Sequence, residues 1–383
     1  MKTRILGRTG IKVSEIAIGG EGFENKDQKE TKELIDYAFS QGINFIDVYN
    51  SNPKMRSQVG EALAHYPRES FVVEGHLCSM WEDGQYRRTR NLEEVKTAYQ
   101  DFLTRMKLDY CDIGMIHYCD DLKDFDQILN QGIMEYAQDL KQHDVIRSIG
   151  LSTHNPDVAL KAVETGLIDV MLFSINPAYD MLPSSEDVDI LFEEKTFDRL
   201  YEGIDENRAT LYRLCEQKGV ALTVMKCFGA GVLLDEKQSP FKKALTPIQC
   251  LHYCLTRPAV AAVMCGIESK EEIAQAVAYE TASPQEKDYA HILADAPRTA
   301  FHGQCMYCGH CAPCTMKIDI ASVNKYLDLS LMKESAPETL HNHYDLLEHH
   351  GSECIACGVC MTNCPFGVDI IAKMQRATEV FGH

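Results

Sequence analysis

Eight of the sixteen cysteines in this chain lie in two short runs near its carboxyl end. Two residues separate each pair of neighbouring cysteines in the first run, while the gaps in the second run are two, two and three residues. The cysteines of the two runs are, in order, Cys305, Cys308, Cys311 and Cys314, then Cys354, Cys357, Cys360 and Cys364. Thiolates with this spacing can wrap around a metal ion or an inorganic cluster, so the runs predict metal binding.

The second run, which ends in Cys364 followed by Pro365, has the C-x2-C-x2-C-x3-C-P spacing of bacterial ferredoxins, which hold 4Fe–4S clusters. The first run departs from it, because its last gap is two residues and Thr315 stands where the proline would be. A pair of zinc sites is the alternative, since Cys-x2-Cys pairs also bind zinc. Four thiols packed so closely, twice in one chain, favour two 4Fe–4S clusters.

By analogy with two-cluster ferredoxins, each cluster is expected to take three cysteines from one run and one from the other. The expected groups are Cys305, Cys308 and Cys311 with Cys364, and Cys354, Cys357 and Cys360 with Cys314. Iron–sulfur clusters move single electrons. The tail therefore predicts electron transfer in an oxygen-poor setting, with a ferredoxin- or flavodoxin-like protein as a candidate electron partner.

Ahead of the thiol runs, short apolar runs alternate with stretches of helical periodicity. Runs such as SEIAIGG, NFIDVY and SFVVEGH predict strands, and their near-continuous apolar character is typical of strands covered on both faces. Eight such units predict a closed parallel (β/α)8 barrel with an outer ring of helices. An open doubly wound sheet is the rival, but no GxGxxG follows the first strand.

The sequence pattern changes after residue 295, where cysteines become frequent and helical segments replace the strand-like runs. We therefore expect two domains, a barrel over residues 1–295 and a small, mostly helical ferredoxin-like domain over residues 296–383. A domain of that size gains much of its stability from a bound metal group.

Charge and hydropathy exclude several classes of function. The net charge of −19 would repel a phosphate backbone, so nucleic-acid binding is not expected. No apolar run is long enough to cross a membrane and the amino terminus lacks a secretory core, which predicts a cytoplasmic protein with reduced thiols. The basic run from Arg87 to Arg90 is interpreted as a solvated loop, with docking of an anionic group as the alternative.

Several long blocks resemble the aldo/keto reductases, and in particular the branch with a C-terminal ferredoxin-like domain. The blocks are RILGRTGIKVSEIAIGGEGF, GINFIDVYN, VGEAL, DYCDIGMIH, SIGLSTHNPDVALKAVETGLIDVMLFSINPAYD and GVALTVMKCFGAG. The resemblance implies a (β/α)8 barrel whose active site lies at the carboxyl ends of the strands. It also implies hydride transfer between NADPH and a carbonyl group.

The resemblance further implies a catalytic Asp, Tyr, Lys and His, of which only Asp47 and His117 match. Asn52 occupies the Tyr position and His76 the Lys position. Asparagine cannot release a proton at neutral pH, whereas histidine titrates near pH ~6.5. We therefore expect Asp47, His76 and His117 to form an acid–base set, with Tyr49 as a candidate hydroxyl on the same side of its strand as Asp47. Structural packing is the alternative for His76, His117 and Tyr49.

The positions that the resemblance assigns to the nicotinamide cofactor match only loosely. They are Ser152 and Thr153 for the nicotinamide amide, Asn176 beside the usual Gln position, Met225 for the ring face, and Gly266 and Ser269 for the adenine end. The sequence therefore leaves NADP(H) binding open.

Taken together, these features favour an oxidoreductase of the aldo/keto reductase type that acts on a small carbonyl-type substrate. Electrons would pass through two 4Fe–4S clusters, and the participation of NADP(H) stays open. Two alternatives stay open. One is a non-redox lyase or isomerase that uses the Asp/His/His set beside structural clusters, and the other is an electron-transfer subunit in which the barrel only docks a partner.

Overall fold

A computed structural model gives the fold of the chain, and it describes residues 1–191, 196–197, 203–294, 301, 303–331 and 338–383. The strands within these ranges are β1 (Thr3–Ile5), β2 (Lys12–Ser14), β3 (Ile16–Gly19), β4 (Phe45–Val48), β5 (Val72–Leu77), β6 (Ser79–Glu82), β7 (Gln85–Arg88), β8 (Cys111–Ile116), β9 (Ile146–Thr153), β10 (Val170–Ser174), β11 (Ala221–Met225) and β12 (Val260–Gly266). Eight of them, β3, β4, β5, β8, β9, β10, β11 and β12, pair in parallel and in chain order. Pairing of β12 with β3 closes the barrel, which confirms the predicted (β/α)8 fold.

Helices follow the barrel strands and continue into the tail. They are α1 (Gln28–Ser40), α2 (Pro53–Leu63), α3 (Leu92–Met106), α4 (Leu122–Asn130), α5 (Ile133–Gln142), α6 (Pro156–Glu164), α7 (Glu206–Lys218), α8 (Pro247–Leu255), α9 (Lys270–Val277), α10 (Ala290–Ala294), α11 (Ile320–Ser330), α12 (Glu338–Asp345), α13 (Val359–Asn363) and α14 (Ile370–Phe381). Local sequence explains where many of them begin. For example, Thr246 and Gln249 form a capping box at the start of α8, with Pro247 at its first position.

The inside of the barrel is apolar at one end and polar at the other. Phe45, Val72 and Met115 belong to a buried interior cluster, and Leu6 and Val13 from the amino-terminal hairpin β1–β2 pack into the same cluster. This hairpin covers the amino-terminal end of the strands. Side chains at the opposite, carboxyl-terminal end are therefore free to form a site.

The tail is helical, as predicted, and its apolar side chains join the core between the strands and the outer helices. Phe301, Leu327 and Met374 are buried in the same continuous cluster as the outer layer of the barrel. The predicted boundary between residues 295 and 296 lies outside the described residues, so the division into two domains stays a prediction.

Polar contacts also fix the tail to the barrel. The backbone carbonyl of Met306, beside the first thiol run, accepts hydrogen bonds from the Tyr289 hydroxyl and the Arg257 guanidinium. The ring of His310 lies 2.9 Å from the Asp288 carboxylate. Tyr289 and Arg257 are both buried, so this junction is shielded from solvent.

The basic run on the hairpin β6–β7 and the segment after it is paired with carboxylates. Arg87 forms ion pairs with Glu82 and Glu94, and Arg90 with Asp124. Arg87 is partly exposed, as a solvated surface requires, whereas Thr89 is buried and the Arg90 side chain is only 13% exposed, so the interpretation as a solvated loop does not hold for the end of the run. The helices of the described residues include none with the length and apolar composition that crossing a bilayer requires.

Candidate active site

A cavity of about 680 Å³ opens at the carboxyl ends of the barrel strands. Every barrel strand contributes a lining residue, in most cases from its carboxyl end or from the position just after it. These residues are Gly19, Asp47, His76, His117, Ser152, Leu172, Met225 and Gly266. The apolar interior of the barrel lies below. The cavity is thus the place where side chains from separate strands meet.

A histidine between two carboxylates forms the floor of this cavity. Asp47 and Glu74 are direct partners in the pairing of β4 with β5, and His76 follows Glu74 on the same face of β5. The Nε2 atom of His76 lies 2.9 Å from Oδ1 of Asp47 and 3.6 Å from Oε1 of Glu74. All three side chains are buried, and Glu74 is completely inaccessible to solvent. The predicted partnership of Asp47 and His76 is therefore present as a close contact.

Sequence reasoning missed Glu74. Its signal was a single carboxylate inside the apolar run SFVVEGH, two residues before His76. Because side chains alternate across a strand, this spacing places Glu74 and His76 on the same face. A charged residue in a strand that is covered on both faces is unusual and points to a partner inside the barrel.

The other ring nitrogen of His76 contacts a second histidine. Nδ1 of His76 lies 2.6 Å from Nδ1 of His117, which follows β8 directly. One of the two nitrogens must carry the proton and the other must accept it, because two bare or two protonated nitrogens cannot form a hydrogen bond. The electrostatic surroundings decide which one donates.

Burial disfavours a charge on either ring, but only His76 has carboxylates beside it. The charges of Asp47 and Glu74 outweigh the burial and raise the pKa of His76 to about 9. Burial and the neighbouring His76 cation hold the pKa of His117 well below its usual value. At neutral pH His76 is therefore the cation, and its Nδ1–H donates to Nδ1 of a neutral His117. The remaining proton of His117 is then on Nε2.

Tyr49 forms a wall of the cavity next to His117. The two rings stack with their centroids 6.0 Å apart, and the Tyr49 hydroxyl donates to Glu21 at 3.5 Å. Burial and the carboxylates of Glu21 and Asp47 raise the pKa of Tyr49, so its hydroxyl stays protonated. Tyr49 therefore shapes the cavity and is a poor proton donor.

Asn52 lies away from the cavity lining. Its side-chain oxygen accepts hydrogen bonds from the backbone N–H groups of Lys54 and Met55, at 3.0 and 3.3 Å. Asn52 is thus the N-cap of α2, directly before Pro53. This local role accounts for the residue type at a position where family members are expected to carry the catalytic Tyr.

Three of the six positions proposed for a nicotinamide cofactor line the cavity, namely Ser152, Met225 and Gly266. The Ser152 hydroxyl accepts a hydrogen bond from the backbone N–H of Tyr118 at 2.8 Å. Met225 and Gly266 end β11 and β12, so they place a thioether and an open stretch of backbone at the rim.

The polar groups at the other three positions are used within the protein. The hydroxyl of Thr153 donates to Asp120, and the side-chain oxygen of Ser269 caps α9. Asn176 is fully buried, with its amide donating to the carbonyl of Lys226 and its oxygen accepting from two backbone N–H groups. Each of these polar groups therefore already has a partner within the protein.

The charge of the cavity wall also disagrees with a dinucleotide. Glu21, Glu268 and Glu272 line the cavity, and among its described lining residues Lys226 is the only lysine or arginine. The Lys226 ammonium itself lies 3.9 Å from Glu21. Phosphate groups are bound by cations and by free backbone N–H groups, and carboxylates repel them. The described lining therefore offers a phosphate group only one cationic side chain.

The eight clustered cysteines surround two small cavities in the tail. The first cavity is lined by Cys305, Cys308, Cys311 and Cys364, and the second by Cys314, Cys354, Cys357 and Cys360. Each group takes three cysteines from one run and one from the other, which is the grouping that the analogy with ferredoxins predicts. Apolar side chains complete both walls, including Phe366 and Val368 around the first and Ile318 and Met374 around the second.

Hydrogen-bond donors also reach the sulfur atoms. The side-chain amide of Asn324 donates to Cys305 Sγ at 3.4 Å, and the hydroxyl of Thr315 lies 3.5 Å from Cys357 Sγ. Four thiols, apolar walls and donors to sulfur are what an iron–sulfur cluster requires of its protein. The donor set in the tail therefore fits two such clusters.

Comparison with known proteins places residues 15–248 in the aldo/keto reductase family. The chain is similar to the uncharacterized oxidoreductase YqkF of Bacillus subtilis, with 25% identity over 300 residues that cover 71% of this chain and 89% of that protein. It is 29% identical to the L-galactose dehydrogenase of Arabidopsis thaliana over 143 residues, or 35% of this chain and 43% of that protein. Among solved structures, the holo form of the aldo-keto reductase AKR11C1 from Bacillus halodurans aligns with a TM-score of 0.59 and 22% identity, over 79% of this chain and 99% of that one.

Proposed function

The chain belongs to the aldo/keto reductase family and is an oxidoreductase, and we propose that it interconverts a small carbonyl compound and its alcohol with electrons that pass through two 4Fe–4S clusters in the tail. The observation that carries this proposal is the grouping of eight cysteines around two cavities. A reduction needs protons and electrons. The acid–base site of the barrel would supply a proton, and two clusters in the tail would supply the electrons.

The clusters, when bound, supply single electrons. Reduction of a carbonyl group to an alcohol takes two electrons and two protons. Two clusters held by the eight cysteines would together supply two electrons, and a ferredoxin- or flavodoxin-like protein would be the electron source. We propose that the proton on oxygen comes from the barrel and that the proton on carbon comes from solvent.

His117 binds the substrate oxygen in this proposal. Its Nδ1 accepts from His76, so its Nε2–H faces the cavity as a donor. As charge develops on the substrate oxygen, the Nε2 proton moves to that oxygen and Nδ1 takes the proton of His76. Asp47 and Glu74 hold the His76 cation that feeds this relay. Such proton transfer contributes about 10²- to 10⁴-fold to a rate.

Hydride transfer from NADP(H) forms no part of the proposal. The polar groups at three of the cofactor positions are engaged within the protein, and the cavity wall is acidic. The site is otherwise at the position expected for the family.

One anaerobic preparation tests the proposal. We expect about eight iron and eight sulfide per chain, bleaching of the cluster absorbance by dithionite, and no NADPH oxidation in the presence of carbonyl compounds. Zinc in place of iron and sulfide would exclude electron transfer through the tail and would favour the lyase or isomerase alternative. NADPH-dependent carbonyl reduction at a useful rate would instead show that the barrel uses hydride transfer.

A further inference from the structure

Three side chains direct potential metal ligands to one point inside the barrel. One ligand atom each from Asp47, Glu74 and His76 lies within 4.8 Å of the other two. The two measured contacts, from His76 Nε2 to the carboxylates, are 2.9 and 3.6 Å. Ligand atoms around a tetrahedral zinc ion, with bonds near 2.1 Å, lie about 3.4 Å apart. Small side-chain adjustments therefore bring all three atoms to bonding distance of one ion.

The same atoms lack hydrogen-bond partners in the part of the chain that the structure describes. Both oxygens of the fully buried Glu74 are unsatisfied, as are Oδ1 of Asp47 and Nε2 of His76. The 2.9 Å contact of His76 with Asp47 is thus close but poorly aligned for a hydrogen bond. Buried carboxylates are normally paired with hydrogen-bond donors or coordinate a metal. Burial also raises the pKa of Glu74 to about 7, which shows how costly an ionised carboxylate is at this position without a compensating partner.

We propose that Asp47, Glu74 and His76 bind a divalent transition-metal ion such as Zn²⁺ or Fe²⁺. Two carboxylates balance the charge of the ion. The imidazole ligand favours a transition metal over Mg²⁺ or Ca²⁺, which prefer oxygen ligands only. The inference rests on this geometry alone and is independent of the clusters proposed for the tail.

The surroundings of His76 match those of a metal-ligating histidine. Such a residue usually donates its other ring N–H to a neighbour, which fixes the orientation of the ring. His117 accepts that N–H at 2.6 Å. The ion would replace the Nε2 proton, so the positive charge beside Asp47 and Glu74 would come from the ion and not from the His76 cation described above. The Nδ1–H of His76 would still donate to His117.

The geometry also leaves an open coordination position. Asp47 and His76 line the cavity, whereas Glu74 lies below them and outside the lining. An ion held by these three residues would face the cavity on its fourth side. Three protein ligands with one open position are typical of a catalytic zinc site, where the ion polarises a carbonyl oxygen.

Zinc loading of the full-length protein tests the proposal. The protein is purified anaerobically with a chelator and titrated with Zn²⁺, and zinc per chain is counted for the wild type and for Glu74→Gln. We expect the wild type to hold one zinc more than E74Q and to bind it at least 100-fold more tightly. His154→Gln is the matched control, because His154 also contacts a carboxylate, Asp120 at 2.9 Å, and should bind zinc like the wild type.

Equal zinc stoichiometry and affinity in the wild type and E74Q would overturn the proposal. X-ray absorption at the zinc edge of the wild type gives a second measurement if E74Q does not fold. Nitrogen and oxygen ligands alone support the site, and sulfur ligands alone would contradict it. Iron and sulfide counts in the same samples are expected to be equal, so a failure of the cluster assignment is visible separately.

Discussion

His76 and His117 show how two identical side chains in contact acquire opposite properties. Both are buried enough for desolvation to oppose their charge, but only His76 has Asp47 and Glu74 at its Nε2 edge. The carboxylates therefore decide which ring holds the extra proton. Proton transfer within the pair therefore runs from His76, beside the buried carboxylates, to His117 at the cavity.

The relay predicts the effect of His117→Gln. Glutamine keeps a donor near the substrate oxygen but cannot pass a proton on, so we expect kcat for carbonyl reduction to fall by about 10²- to 10⁴-fold with a small change in KM. Steady-state kinetics with dithionite-reduced protein and a panel of carbonyl compounds measure this. Tyr49→Phe keeps the stacked ring and should change kcat little. A normal kcat in H117Q would exclude His117 as the proton donor.

Removal of the buried cation should destabilise the barrel. In chelator, His76→Gln leaves Asp47 and Glu74 without a charge partner, and we expect a loss of about 3–5 kcal/mol in the free energy of unfolding. Urea denaturation measures it. The double variant with Glu74→Gln removes the second buried carboxyl group and should recover some of that loss. Strict additivity of the two substitutions would show that these side chains do not interact.

At the level of elements, periodicity is sufficient to predict the barrel, because few compact folds accommodate eight apolar strands that alternate with helices. The rotamers that bring His76 and His117 together could not be predicted, since strand order fixes which side chains are neighbours and not how their rings turn. Glu74 was overlooked because one carboxylate within an apolar run does not change the strand assignment. Its spacing from His76 was the available clue.

Asn52 illustrates a different limit of sequence reasoning. Alignment with the family places it in a catalytic position, but an asparagine before a proline is also a signal for the start of a helix. The structure shows the second role. Thr153 and Ser269 likewise carry hydroxyl groups that bind the protein's own backbone and side chains. Residue type alone does not distinguish a cap from a ligand.

Asn52→Ala should therefore affect stability and not catalysis. Loss of the cap exposes two N–H groups at the start of α2, which costs about 1 kcal/mol of the free energy of unfolding. Chemical denaturation of N52A beside Asn52→Ser, which retains a capping oxygen, isolates this effect. A large loss of kcat in both variants would point to a direct role in the cavity.

Helix α8 carries a histidine that predicts how stability depends on pH. Burial, with Lys287 and Arg257 nearby, lowers the pKa of His252 to about 4. The unfolded chain takes up this proton near pH ~6.5 and the folded chain does not, so stability is unaffected above pH ~6.5 and declines as the pH falls toward about 4. The decline amounts to at most about 3 kcal/mol.

Thermal unfolding of the wild type and His252→Gln between about pH 8 and pH 5 measures this contribution. Glutamine does not titrate, so we expect H252Q to lose less stability than the wild type on acidification. Parallel curves for the two proteins would show that His252 is protonated at its ordinary pKa in the folded state.

At the level of the whole molecule, the cysteine assignment predicts the result of Cys357→Ser. This change removes one sulfur from the second thiol cavity, so iron should fall from about eight to about four per chain, with a lower unfolding temperature of the tail. Cys250→Ala, at a buried cysteine in α8, is the control and should leave the iron count unchanged. An unchanged iron count in C357S would contradict the assignment.

Each thiol cavity obtains its fourth sulfur from the opposite run. The two cysteine runs must therefore come together before either set of four is complete. If each set holds a cluster, we expect loss of one run to prevent completion of both sites, so that neither forms as a separate module.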